Sequence, residues 1–170
     1  MVDDFRATII ALFIVLFLLI YMTYVWGYVD QVQETIAVQY SKPYIKAINS
    51  SEYIVTIRTI IYASSSTVYV EPFLVNPTTK SPIMLQGKYV NQVFDPDQVG
   101  FVNVSGVSTK PVVIYSPSCN GVAFKVPTEV PFNITFTTNQ SYALELEIYV
   151  STPLLGYQEV GSTIIPLNIT

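Results

Sequence analysis

The sequence has no histidine, a single cysteine at Cys119 and only 12% charged residues. Without histidine there is no His-dependent catalytic dyad and no His-containing metal site, and one cysteine supports neither an intrachain disulfide nor a zinc cluster. Catalysis, a metal and a cofactor are therefore not expected. The eight basic residues are scattered from Arg6 to Lys125 and the net charge is −4, so the basic patch that marks a nucleic-acid binder is missing. Acidic pairs occur at Asp95 and Asp97 around Pro96 and at Glu145 and Glu147 on one strand face. A turn and a solvated surface account for them, because no nucleophile, phosphate loop or third oxygen cluster accompanies either pair.

What is abundant is apolar surface, at 51% hydrophobic and 14% aromatic residues, and it is unevenly placed. Residues 7–29 run for 23 positions without a charge. As a helix rising about 1.5 Å per residue they extend about 34 Å, enough to cross a hydrocarbon core of about 30 Å. A secretory signal fits less well, since its apolar stretch is about 7–15 residues long with a basic flank, whereas Asp3, Asp4 and Arg6 flank this one. The segment is expected to be retained as a helix. Large apolar side chains left in water cost about 1.5–3 kcal/mol each, so the run sums to tens of kcal/mol and requires a cover of lipid or protein.

Within the run, Phe13, Phe17, Tyr21, Tyr24 and Tyr28 follow four- and three-residue steps and fall in a sector of about 80° on one side of a helix. Tyr21, Tyr24, Trp26 and Tyr28 also fit an aromatic belt at a membrane boundary. The belt explains clustering near one end, and the one-sided stripe suggests a packing partner. Ile9, Phe13, Phe17, Tyr21, Tyr24 and Tyr28 are the candidate packing residues. Val29, Val32 and Ile36 keep the helical spacing, after which Ile36, Val38 and Tyr40 alternate as in a strand, so the period changes near Thr35.

From residue 42 onward β-branched and aromatic residues dominate, interrupted by turn signals such as Asn76-Pro77 and Asn120-Gly121. Strands are expected near 52–62, 67–75, 88–94, 99–104, 111–116, 121–126, 131–137, 142–150 and 162–169. The clearest places Tyr142, Leu144, Leu146, Ile148 and Val150 inward, with Ala143, Glu145, Glu147 and Tyr149 outward. The strand at 52–62 carries apolar residues on both faces, so it is central and doubly covered or meets another subunit. With no helical pattern between strands, the expected class is α+β: a single long hydrophobic helix over 1–38 and an all-β, immunoglobulin-like sandwich over 39–170.

Asn-x-Ser/Thr sequons occur at Asn49, Asn103, Asn133, Asn139 and Asn168, five of the eight asparagines, whereas Pro77 disqualifies Asn76. This exceeds what the serine and threonine content places there by chance and points to an extracytoplasmic domain carrying N-linked glycans. Arg6 on one flank and Lys42 and Lys46 on the other leave orientation open by charge alone. The sequons place the β-domain outside.

A charge-poor amino-terminal helix joined without a linker to a sequon-rich β-sandwich resembles the archaeal members of the type IV pilin superfamily. Bacterial relatives usually carry glutamate at the fifth mature position, where this chain has Phe5. The resemblance implies a homopolymeric surface filament whose helices leave the membrane and bundle into a core, with glycosylated β-domains as the outer sheath. The alternative is a single-pass anchored sandwich that binds a surface-layer or archaellum-motor partner. Low charge and absent histidine also lead to an expectation of acid tolerance, because few ion pairs are at stake when carboxylates protonate.

Overall fold

The computed structural model describes residues 2–80, 102–107, 111–115, 120–138 and 142–168. The strand expected at 88–94, together with Asp95, Asp97, Cys119 and Asn139, lies outside the described residues. The chain opens with one helix, α1 (Val2–Thr35), 34 residues long. No proline occurs before Pro43, so nothing removes a helical N–H within it. Its end is fixed by Thr35, whose hydroxyl donates to the Gln31 carbonyl at 3.0 Å and accepts from the Ser64 N–H at 2.9 Å. The change of period near Thr35 therefore coincides with the observed boundary, and the strands begin at Ala37.

Among the described residues ten strands follow: β1 (Ala37–Tyr40), β2 (Tyr44–Ala47), β3 (Tyr53–Tyr62), β4 (Thr67–Val75), β5 (Val102–Ser105), β6 (Pro111–Tyr115), β7 (Asn120–Pro127), β8 (Phe132–Thr138), β9 (Ala143–Thr152) and β10 (Gly156–Pro166). All pairings are antiparallel. Sheet A runs β1-β3-β8-β5, with β2 also paired to β3, and sheet B runs β10-β9-β4-β7-β6. Val55, Ile57, Ile61, Ile134 and Phe136 of sheet A meet Val70, Leu74, Leu144, Leu146 and Ile148 of sheet B in one buried core. The fold is thus an α+β arrangement in which an apolar helix precedes an antiparallel two-sheet sandwich.

Particular strands depart from expectation for local reasons. β1 and β2 form one edge broken at Lys42-Pro43. Ser41 bridges the gap, its N–H donating to the Arg58 carbonyl at 2.9 Å and its Oγ accepting from the Arg58 N–H at 3.2 Å. β2, four residues with mostly exposed side chains, has no counterpart among the expected strands because so short an edge carries little alternation. β10 begins well before residue 162. A bulge between Glu159 and Gly161 shifts the phase of its side chains and hides the pattern. β3 is central in its sheet, with β1 and β2 on one side and β8 on the other.

The helix is not appended to the sandwich by a tether. It packs chiefly on β10, the edge of sheet B, and its Val29 and Val32 belong to the sandwich core. At the far end of this contact a Cβ on Gly161 would stand 3.2 Å from Ile36 Cγ2, so glycine lets strand and helix approach closely. At the near end, Tyr21 Oη donates to the Pro153 carbonyl at 2.7 Å. The β9–β10 hairpin therefore lies along the helix from Ile36 back to Tyr21.

The apolar helix as the candidate functional site

The contact with the hairpin divides α1 into two parts. Val25, Val29 and Val32, spaced by four and three residues, are buried against the sandwich. Residues 5–20 are exposed on every side of the helix, including Phe13, Ile14, Val15, Leu16 and Phe17 in direct succession. Five consecutive positions at about 100° each circle the helix, so no single flat partner covers this segment. Phe17 is 69% exposed, whereas Val32 is fully buried. The helix is long and apolar enough to cross a membrane.

The six candidate packing residues divide in the same way. Ile9, Phe13, Phe17 and Tyr24 are free of the sandwich, with Tyr24 76% exposed. Tyr21 and Tyr28 are half-buried and directed inward, because each hydroxyl finds a partner in the chain: Tyr21 on Pro153, and Tyr28 on Ser65 Oγ at 3.1 Å. The aromatic stripe therefore serves two surfaces. Phe13, Phe17 and Tyr24 point away from the sandwich, and Tyr21 and Tyr28 fix the helix to the β9–β10 and β3–β4 loops. The spacing at 29, 32 and 36 was readable in sequence, but nothing local showed which loops would receive it.

The sequons lie on different parts of the sandwich. Asn49 sits in the exposed β2–β3 bend, where its Oδ1 accepts from the Ser51 N–H at 2.9 Å and its Nδ2 donates to Glu52 Oε2 at 3.2 Å. Asn168 is exposed just beyond β10. Both occupy the end of the sandwich remote from the free helix. Asn103 and Asn133 fall on adjacent strands in reciprocal register, Asn103 opposite Thr135 and Ser105 opposite Asn133, so two sequons run side by side in sheet A.

The outer face of sheet B corrects one expectation. It is not uniformly solvated, since Ala143, Tyr149 and Glu71 are buried, Glu71 to 3% exposure. Tyr69 and Tyr157, edge to face with centroids 4.9 Å apart, pack over Ala123 and Tyr149 and exclude water from that side. Glu71 stands opposite Glu147 across β4 and β9, Glu147 accepts a hydrogen bond from the Tyr149 hydroxyl, and Glu71 Oε2 has no hydrogen-bond partner. Burial lifts the Glu71 carboxyl from its ordinary 4.5 to about 7, with repulsion from Glu147 adding to the rise and the Tyr149 hydroxyl partly opposing it. Glu145 and Glu159 shift upward too, each first by partial burial and then by repulsion from Glu147. Among the described residues no three of these carboxylates are arranged to hold a metal ion.

No protein-family model, no curated protein and no solved structure matches this chain.

Proposed function

We propose that the chain is the structural subunit of an extracellular type IV pilus-like filament: residues 5–20 of neighbouring copies bundle into the core, and glycosylated sandwiches form the sheath. The observation that carries this reading is the unbroken passage of one helix from an apolar surface exposed all round into the sandwich core at Val25, Val29 and Val32. A tethered binding module gains reach from a flexible linker. Here the sandwich is fixed to the helix, so the register of packed helices dictates where each sandwich sits, as a regular array requires.

Retention of the helix has the same support. Its removal as a signal would strip Val29 and Val32 from the core. Before assembly the helix resides in the membrane, with the sandwich outside. Transfer from lipid into a bundle exchanges one apolar surrounding for another, so specificity rests on close packing of Ile9, Phe13, Phe17 and Tyr24 rather than on burial alone. N-linked glycans on the sequons and contact with a surface-layer protein belong to the sheath side of this proposal.

Electron microscopy of the purified full-length chain after detergent removal tests it, alongside material shed from producing cells. Helical filaments are expected. Discrete monomers retained in lipid would favour the anchored sandwich that binds a partner.

A further inference from the structure

The turn between β9 and β10 is Pro153, Leu154 and Leu155, followed by Gly156 at the start of β10, with no charge among them. Leu154 is 86% exposed and holds φ of 64°, in the left-handed region. That conformation costs a leucine about 1–2 kcal/mol and is the ordinary place of glycine or asparagine. A large apolar side chain is thus presented outward at a strained position.

Three backbone carbonyls here accept hydrogen bonds from within the chain. The Pro153 carbonyl accepts from Tyr21 Oη at 2.7 Å and from the Leu155 N–H at 2.8 Å. The Leu155 carbonyl accepts from Gln158 Nε2 at 2.9 Å, and the Gly156 carbonyl from Thr152 Oγ1 at 2.8 Å. In water such carbonyls have solvent as a partner; internal pairing becomes necessary where water is scarce, since an unpaired polar group there costs several kcal/mol.

The position of the turn along the helix supplies the third observation. Docking begins at Tyr21, which leaves the uncharged residues 7–20 free, a length of about 21 Å at about 1.5 Å per residue. A hydrocarbon core of about 30 Å exceeds this by more than one helical turn. Asp3, Asp4 and Arg6 oppose making up the difference at the amino-terminal end. The shortfall therefore falls at the level of Tyr21, beside Leu154.

We propose that, in the membrane-inserted form, Leu154 and Leu155 enter the outer boundary of the lipid bilayer next to Tyr21, giving the sandwich a second contact with lipid besides the helix. The proposal rests on the reading that the helix crosses a bilayer before assembly. The hairpin tip and the helix then form one continuous apolar surface, and the rigid contact between them sets how deep the chain sits.

Single-tryptophan fluorescence of the full-length chain in phosphatidylcholine vesicles, plain or brominated on the acyl chains, tests it. Trp26→Phe removes the only native tryptophan, and Leu154→Trp, Leu155→Trp, Phe13→Trp and Tyr44→Trp are then introduced one at a time. Thermal unfolding of each confirms the fold, and Leu155→Trp serves if Leu154→Trp fails to fold. Expected is strong quenching by brominated lipid at 13, quenching by lipid brominated near the glycerol at 154 and 155, and none at 44, where aqueous acrylamide quenches instead. Adding Leu154→Asn, which the left-handed backbone accepts, should lower quenching at 155 without lowering stability. Quenching at 13 with acrylamide-accessible tryptophan at 154 and 155 overturns the inference alone. Absence of quenching at 13 overturns the membrane stage and the inference with it. Protection of 154 that arises only in filaments assigns the tip to a neighbouring copy and overturns the proposal.

Discussion

Residues 5–20 of the helix and the sandwich solve the problem of misplaced side chains in different ways. The helix displays large apolar groups outward, and none of the described residues covers them. The sandwich does the reverse on sheet B, where it buries the ionisable Glu71 and shields it with Tyr149, Tyr69 and Tyr157. Its remedy is internal, because a proton neutralises Glu71 at no cost to packing. The remedy for the helix is external and must come from lipid or other copies. On the proposed function, the part that cannot satisfy itself is the part that assembles. Val25, Val29 and Val32 join the two parts and make them one body.

The contrast predicts that damage to one part spares the other. The largest effect is expected from Phe17→Asp, which puts a carboxylate on the exposed apolar segment at a cost of about 2.5–3.5 kcal/mol in mid-membrane and more against packed neighbours. Filaments should be absent by electron microscopy while the thermal unfolding of the sandwich is unchanged. Filaments of normal length would break the assignment.

The next effect belongs to the sandwich alone. Glu71 has its carboxyl raised above the ordinary 4.5 to about 7, so its penalty is fully present above about pH 7 and gone below about pH 4.5. Stability should rise by about 3 kcal/mol as pH falls through that window. Glu71→Gln should flatten the slope and stabilise the protein only at the upper end, by chemical denaturation at several pH values. A slope of opposite sign would show that other carboxylates dominate. The upward shifts of Glu145 and Glu159 point the same way and give the expected acid tolerance a mechanism, in carboxylates that prefer to be neutral.

At the junction, Val32→Ala should lower stability by about 2 kcal/mol from lost burial plus a small cavity, whereas Ile14→Ala on the exposed segment should leave thermal unfolding unchanged. The smallest effect is expected from Tyr21→Phe, about 1 kcal/mol for one hydrogen bond. Its signature would be faster amide exchange in the β9–β10 turn rather than a large change in melting temperature.

Much of the fold was legible because the relevant signals are local and periodic. The uncharged run over 7–29, the change of period at Thr35 and the alternation of Leu144, Leu146, Ile148 and Val150 each depend on neighbours in sequence. What was not legible depends on partners far along the chain. Tyr21 meets Pro153 and Tyr28 meets Ser65, and neither spacing suggests the other residue. The bulge at Glu159/Gly161 obscured the first half of β10 by shifting its alternation. Glu71 did carry a signal, a lone charge within the apolar strand TVYVEPFLV, but its burial follows from tyrosines on β9 and β10 that only the sheet brings together.

The central claim is that sister helices finally cover residues 5–20, and cross-linking measures this directly. A chain carrying Cys119→Ser and Phe17→Cys has one thiol, placed on the exposed apolar segment of the helix. Mild oxidation of assembled surface material should convert it to disulfide-linked dimers of full-length chains, while the same change at Tyr44, on the sandwich, should not. A Phe17→Cys chain that remains monomeric under oxidation in native material would contradict the account.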